Sequence, residues 1–126
     1  MKFRRLLPCL FLLGVLPAAF AQDAQFYYNR GVKYHEAGDI DAAIADYTRA
    51  IALNPKYAYA YNNRGKAYST KLELDRAIAD FTQAIALDPK DAMAYNNRGN
   101  AYKAKGELDK ARADYSQAIV LRDSGL

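Results

Sequence analysis

Few side chains in this sequence are suited to covalent or metal chemistry. The 126 residues include one cysteine, Cys9, one histidine, His35, and no tryptophan. These counts give poor support to a zinc site, a disulfide framework, a Cys–His pair or a Ser–His–Asp triad. Glu36 is adjacent to His35, but no nucleophile accompanies the two, and we expect His35 to be a solvent-facing helix residue. The sequence therefore predicts no enzyme activity, no metal site and no cofactor.

Side chains that can bind without reacting recur at a constant spacing. Asn29, Asn63 and Asn97 lie 34 residues apart. A carboxamide both donates and accepts hydrogen bonds, so a row of asparagines can pair with the backbone of a peptide of any sequence. Water-exposed polar residues at helical spacing would give the same pattern. Both interpretations, a backbone clamp and a solvated face, are compatible with the sequence.

The net charge of +4 is concentrated at the start of the chain. Without Lys2, Arg4 and Arg5, the 18 basic residues fall to 15 against 14 acidic residues, a net charge of +1. That charge is too small for nucleic-acid binding through counterion release, and no nucleic-acid partner is predicted.

Residues 1–21 have the composition of a secretory signal peptide. The basic start is followed by an almost wholly apolar stretch over residues 6–16. Residues 19–21, Ala-Phe-Ala, match the small–x–small pattern that precedes cleavage, here before Gln22. We therefore expect an exported protein, in the periplasm or secreted.

An uncleaved membrane anchor is the alternative interpretation of this segment. The uncharged stretch over residues 6–22 is short for a membrane span, and Pro8 and Pro17 interrupt it. Cys9 fits a lipoprotein signal only loosely, because proline precedes it where a small residue is needed. Membrane contact is expected only through the uncleaved leader during export.

A 34-residue period organises the rest of the chain into three units, residues 24–57, 58–91 and 92–125. In the second unit, apolar residues lie three or four positions apart over residues 58–71 and 74–87, which predicts two helices per unit. One such helix pair cannot bury its own apolar face, so neighbouring pairs must stack. The sequence predicts an all-α fold. The recurring positions are Tyr27, Tyr61 and Tyr95; Gly31, Gly65 and Gly99; Tyr34, Tyr68 and Tyr102; Ala43, Ala77 and Ala111; Tyr47, Phe81 and Tyr115; Ala50, Ala84 and Ala118; and Pro55 and Pro89.

The turn inside each unit shows one irregularity. Gly38 and Gly106 mark this turn in the first and third units, whereas Leu72 occupies the place in the second. We expect the second turn to use another geometry or to be strained.

The period and its residue pattern resemble the tetratricopeptide repeat family. The Tyr–Gly–Tyr spacing, the Ala–aromatic–Ala spacing and the proline between units coincide in two copies, and all but the proline in a third. The resemblance implies a short right-handed α-solenoid of antiparallel helix pairs. It also implies that the first helix of each pair lines a concave groove, and that this groove binds peptides or other proteins.

The resemblance places a candidate partner-binding groove on the first helices. Its predicted residues are Asn29, Asn62, Asn63, Lys66, Asn96, Asn97, Asn100 and Lys103. One subfamily binds acidic chaperone tails through a carboxylate clamp that needs two lysines, two asparagine-type positions and an arginine. The matching positions here are Tyr28, Val32, Asn63, Met93 and Asn97, of which only Asn63 fits. Recognition of that kind is not expected.

The chain departs from the family pattern at two further positions. Arg30, Arg64 and Arg98 replace the usual leucine, and Asp46, Asp80 and Asp114 recur 16 residues after them. We hypothesise that each arginine pairs with the aspartate of its own unit. The alternative is that both are independent solvated charges.

The two ends of the array carry charge where the middle is apolar. Lys33 corresponds to Ala67 and Ala101, and Arg112 corresponds to Ile44 and Ile78.

The sequence as a whole favours an exported interaction module with a protein or peptide partner. The alternative is a structural unit that self-associates into a homo-oligomer through its uncapped C-terminal repeat, where Ile119 and Leu121 are expected to be partly exposed.

Overall fold

The computed structural model describes residues 23–125, and the predicted leader lies outside these residues. Residues 23–125 form three antiparallel helix pairs and contain no β-strand. The predicted all-α fold is confirmed. The helices are α1 (Ala24–Glu36), α2 (Ile40–Leu53), α3 (Ala58–Thr70), α4 (Leu74–Leu87), α5 (Ala92–Ala104) and α6 (Leu108–Ser124).

Local sequence accounts for where the helices begin and end. The Asp23 side chain accepts a hydrogen bond from the Phe26 backbone N–H at 2.8 Å and so caps α1. Helices α2 and α4 end at the residue before Asn54 and Asp88, which leave the helical conformation because a proline follows each of them. Asp123 stands where a third proline would, and α6 continues to Ser124.

The core of each pair is an aromatic ring packed on a glycine. A Cβ atom added to Gly65 would lie 2.6 Å from the Phe81 ring, closer than side chains tolerate. Gly31 and Gly99 meet the rings of Tyr47 and Tyr115 in the same way. Glycine is therefore required on the first helix because the ring of the second helix occupies the space of its side chain.

Neighbouring pairs stack through buried alanines. Ala67 of α3 lies in one cluster with Ala43 and Tyr47 of α2, and Ala101 of α5 lies in the equivalent cluster on α4. The first helices α1, α3 and α5 contact one another in sequence, whereas the second helices do not. The first helices therefore lie on the inner, concave side. No helix within residues 23–125 is both long and apolar enough to cross a membrane.

The turn at Leu72 repeats the glycine turns instead of replacing them. Its φ is +61°, against +83° at Gly38 and +82° at Gly106. Glu73 N–H donates to the Tyr68 carbonyl at 2.9 Å, and the other two turns make the same bond at the same length. The expectation of another geometry was wrong, and the expected strain follows because leucine is held in the left-handed region.

Candidate functional site

Two connected depressions lie on the concave side, between successive first helices. The first has a volume of about 190 Å³ and the second about 210 Å³. His35 and Lys66 border both, so the two form one continuous groove. The first is lined by Val32, His35, Glu36, Tyr47, Asn63 and Lys66. The second is lined by His35, Lys66, Ser69, Thr70, Phe81, Asn97 and Asn100.

The eight residues predicted to line the groove differ in exposure. Asn29, Lys66, Asn96, Asn100 and Lys103 are exposed, and Asn63 and Asn97 are half-buried. Asn62 is 7% exposed, which contradicts its placement among the ligand-binding residues. Its Oδ1 accepts a hydrogen bond from Asn97 Nδ2 at 3.1 Å, because α5 packs over it. Asn96 stands at the same position of the last repeat and remains exposed.

The asparagine row contributes to stacking between repeats. Asn63 Nδ2 donates to the Tyr28 hydroxyl at 2.8 Å, one repeat before the Asn97–Asn62 bond. Both bonds join the first helix of one repeat to that of the preceding repeat. Asn63 and Asn97 therefore each have one N–H donor engaged between repeats, and the backbone clamp stays a prediction that must use their remaining donors and acceptors.

Lys66 and Glu36 line the groove and Lys103 does not, and none of the three is neutralised by a close ion pair. Among residues 23–125, no carboxylate oxygen lies within 4.0 Å of the Nζ atoms of Lys66 or Lys103. Glu36 likewise has no cation at that distance within the described range. These groups are available to a ligand because forming contacts with it breaks no existing ion pair.

His35 faces the groove and is half-buried, whereas the sequence suggested a residue facing bulk solvent. Burial lowers the pKa of His35 below its ordinary value, and the Lys66 ammonium adds to this shift. The imidazole is therefore neutral at pH 7. No group of three or more potential metal ligands occurs among residues 23–125.

Tyr47 is a groove residue that sequence reasoning missed. It recurs as the aromatic residue of the Ala–aromatic–Ala pattern, and its side chain is 1% exposed. It nevertheless lines the first depression. The one available signal was Phe81 at the same position of the second repeat, which shows that packing there does not need a hydroxyl.

The hypothesised arginine–aspartate pairs are present in all three repeats. Each arginine forms two hydrogen bonds to its aspartate, with shortest distances of 2.7 Å for Arg30, 2.8 Å for Arg64 and 2.7 Å for Arg98. The aspartates are 1%, 6% and 5% exposed, so the alternative of solvated charges is wrong. The guanidinium of Arg64 lies near the rings of Tyr61 and Tyr68, and the equivalent tyrosines flank the other two.

Two of these arginines also join neighbouring repeats. Arg64 Nη1 donates to the Thr48 hydroxyl at 3.1 Å, and Arg98 Nη1 donates to the Thr82 hydroxyl at 3.2 Å. Within residues 23–125 no repeat packs before that of Arg30, and its side chain is 40% exposed. The pairs therefore stabilise the array that holds the groove and do not belong to the groove itself.

Comparisons with known proteins agree with this geometry. The family described as TPR repeat matches residues 31–71 and 73–106, and the one described as Tetratricopeptide repeat matches residues 92–124. The chain belongs to the tetratricopeptide repeat family, as the 34-residue period indicated. Its fold is the short right-handed α-solenoid of that family, and the fold and open groove define a protein-interaction module. A comparison with curated proteins finds no match.

Several solved structures are similar to this chain. A crystal structure of MamA is 34% identical with a TM-score of 0.80, over 82% of this chain and 60% of that one. The second TPR of Spaghetti (RPAP3), bound to the HSP90 peptide SRMEEVD, is 34% identical with a TM-score of 0.77, over 79% and 93%. The Arabidopsis OM64 TPR domain is 30% identical with a TM-score of 0.78, over 80% and 84%. The chain thus spans 60% of the MamA chain and most of the other two.

Proposed function

We propose that this chain is an exported module that binds a segment of a partner protein in the concave groove of its three repeats. The observation that carries the proposal is the pair of connected depressions on the first helices, lined by unneutralised charges and by three carboxamides. Each depression has the size of a side chain, and the groove leaves hydrogen-bond donors and acceptors for a backbone. A peptide segment fits these dimensions better than a small-molecule cofactor does.

A structural neighbour supports a peptide as the ligand. The second TPR of Spaghetti holds the HSP90 peptide SRMEEVD on a solenoid that superposes on most of this chain. Of the five positions that match the carboxylate clamp, only Asn63 has the required residue type, and none of the five holds a cation. The groove of this protein therefore selects a different sequence, and its charged lining residues are Lys66 and Glu36.

Binding of displayed peptides tests the proposal. The full chain, expressed with its N-terminal segment and purified as the cell produces it, is panned against a phage-displayed library of random dodecapeptides. We expect Lys66→Gln to weaken the selected peptides at least about threefold, as loss of one charge-assisted hydrogen bond does. Lys110→Gln, the same substitution on the second helix of repeat three, is the matched control. The proposal is contradicted if the protein retains no peptide, or if the two variants lower the affinity for the selected peptides equally.

Export is tested separately. We expect the protein in the periplasmic or secreted fraction, with an intact mass that matches a chain beginning at Gln22. A chain that keeps Met1 and remains in the cytoplasm contradicts the export part and leaves the binding part intact.

The alternative of self-association has one feature in its favour. Met93, Ile119 and Val120 are 63%, 48% and 56% exposed near the C-terminal end. A second copy that continued the array would, however, bring its Lys33 to the place where Ala67 and Ala101 are buried inside the chain. A lysine buried at that site would need a carboxylate partner, but Arg112 of the first copy would lie beside it. We therefore propose a monomer.

A further inference from the structure

The hydroxyl of Tyr47 is unusual among the polar groups of the described chain. Within residues 23–125 it has no hydrogen-bond partner, although the Tyr47 side chain is 1% exposed. No fully enclosed side-chain nitrogen or oxygen in this range lacks a partner. The hydroxyl is therefore not sealed in the core but reaches the first depression, which Tyr47 lines.

The equivalent positions show that packing does not explain this hydroxyl. Phe81 fills the position in the second repeat and packs on Gly65 without a hydroxyl. Tyr115 fills it in the third repeat, where its hydroxyl donates to Asn100 Oδ1 at 2.6 Å. Val32 stands at the place of Asn100 in the first repeat. Only there, among the described repeats, does a buried tyrosine present an unpaired hydroxyl to the groove.

The depression around this hydroxyl, here called the Tyr47 pocket, offers both hydrogen-bond donors and hydrogen-bond acceptors. Lys66 provides a donor, Glu36 provides an acceptor, and the two are more than 4.0 Å apart. Asn63 has one N–H engaged by Tyr28 and leaves its Oδ1 free to accept. Val32 forms the apolar wall. A ligand that satisfies this pocket must both donate and accept hydrogen bonds and carry no net charge.

The donors and acceptors of the Tyr47 pocket keep these roles at neutral pH. Burial raises the pKa of Tyr47, and Tyr28 and Glu36 add to this shift, so its hydroxyl remains a donor. His35 is neutral, as described above. The pocket volume of about 190 Å³ is below the roughly 300–1,000 Å³ of small-molecule sites. It therefore has room for one side chain.

We propose that the Tyr47 pocket binds the carboxamide side chain of a glutamine or asparagine in the partner peptide. The carboxamide oxygen accepts from the Tyr47 hydroxyl and the Lys66 ammonium, and its NH₂ group donates to the Glu36 carboxylate. This inference rests on the proposed function and names one side chain of the ligand. A carboxylate ligand would meet Glu36, a cationic ligand would meet Lys66, and an apolar ligand would leave the tyrosine hydroxyl unpaired.

The selected dodecapeptides test the assignment. We expect them to share a glutamine or asparagine at one position. The affinity of a synthetic peptide of the selected sequence, and of its Gln→Leu and Gln→Glu versions, is measured by fluorescence anisotropy for the wild type and for Tyr47→Phe. Phenylalanine already fills the same position of the second repeat, so Tyr47→Phe removes the hydroxyl and retains the packing. Tyr115→Phe removes the bonded hydroxyl of the third repeat and is the matched control.

We expect Tyr47→Phe to weaken the parent peptide about three- to tenfold, the range for one hydrogen bond to a buried group, and Tyr115→Phe to leave it unchanged. The Gln→Leu peptide should bind the wild type more weakly and lose nothing further with Tyr47→Phe. A consensus with Asp, Glu, Lys, Arg or an apolar residue in place of the carboxamide overturns the assignment while the proposed function stands. Equal affinity of wild type and Tyr47→Phe for the parent peptide also overturns it. Retention of no peptide by the wild type refutes both.

Discussion

Replacement of Leu72 by glycine should stabilise the protein by about 1 kcal/mol. Leu72 has a φ of +61° in a turn where the other two repeats have glycine at +83° and +82°. The left-handed conformation costs a residue with a Cβ atom roughly 1–2 kcal/mol, and the greater chain entropy of glycine offsets part of the gain. The Leu72 side chain is 77% exposed, so its removal sacrifices little burial.

Thermal unfolding followed by circular dichroism measures this effect. A gain of about 1 kcal/mol in a domain of about 100 residues corresponds to an increase in Tm of about 4 °C or more. Leu72→Ala is the control, because it removes the exposed apolar atoms but keeps the Cβ atom, and it should leave Tm nearly unchanged. Gly106→Ala tests the reverse. Nothing lies within 4 Å of the added Cβ atom, so the expected loss of about 1 kcal/mol comes from backbone conformation alone.

Failure of Leu72→Gly to raise Tm would show that the backbone at Leu72 stores no strain. An equal rise in Tm with Leu72→Ala would show that the gain comes from removing exposed apolar surface and not from relieving the backbone.

Three further predictions concern the ion pairs and the ends of the array. Arg64→Leu should destabilise the fold by about 3–5 kcal/mol in urea unfolding, because it leaves the Asp80 carboxylate buried without its partner. Arg64→Leu/Asp80→Leu should recover most of the loss. A double variant as unstable as the single one would contradict this. The hydrogen bond from Arg30 holds the pKa of Asp46 below its ordinary value of about 4. The Asp46 carboxylate therefore stabilises the fold above its ordinary pKa, and this stabilisation is lost as pH falls through its lower folded-state pKa. Asp46→Asn should flatten the dependence of the unfolding free energy on acid pH. An unchanged dependence would show that other groups set it. The wild type should remain a monomer in light scattering as concentration rises, and Lys33→Ala/Arg112→Ile should associate; a monomeric double variant would show that these charges are not what separates the ends.

The arginine–aspartate pairs show why part of this structure was predictable. In a repeat array, each unit contacts only itself and its neighbours, so sequence spacing determines which residues meet. Arg30 and Asp46 recur together at the 34-residue period, and a joint recurrence indicates contact. The depth of burial of Asp46 could not be read in the same way, because it depends on how the two helices close over the carboxylate.

Asn62 and Tyr47 show the limit of the same reasoning. The period places Asn62 and Asn96 at equivalent positions, yet the first is buried under the following helix and the second is exposed. Tyr47 and Phe81 stand at equivalent positions of the repeat pattern, and only the tertiary structure shows that Tyr47 lines the first depression. Exposure at these positions is decided by the neighbouring repeat, which a periodic pattern treats as the same everywhere.

The sequence by itself determined the family and the three helix pairs and suggested the charge pairing, because hydrophobic periodicity and a constant repeat length act locally and recur. Only the tertiary structure decided which polar groups remain available to a ligand. Some hydrogen-bonding groups in the groove are used between repeats, as in Asn97, and others are left to a partner, as in Lys66. That division depends on distances between helices far apart in the chain.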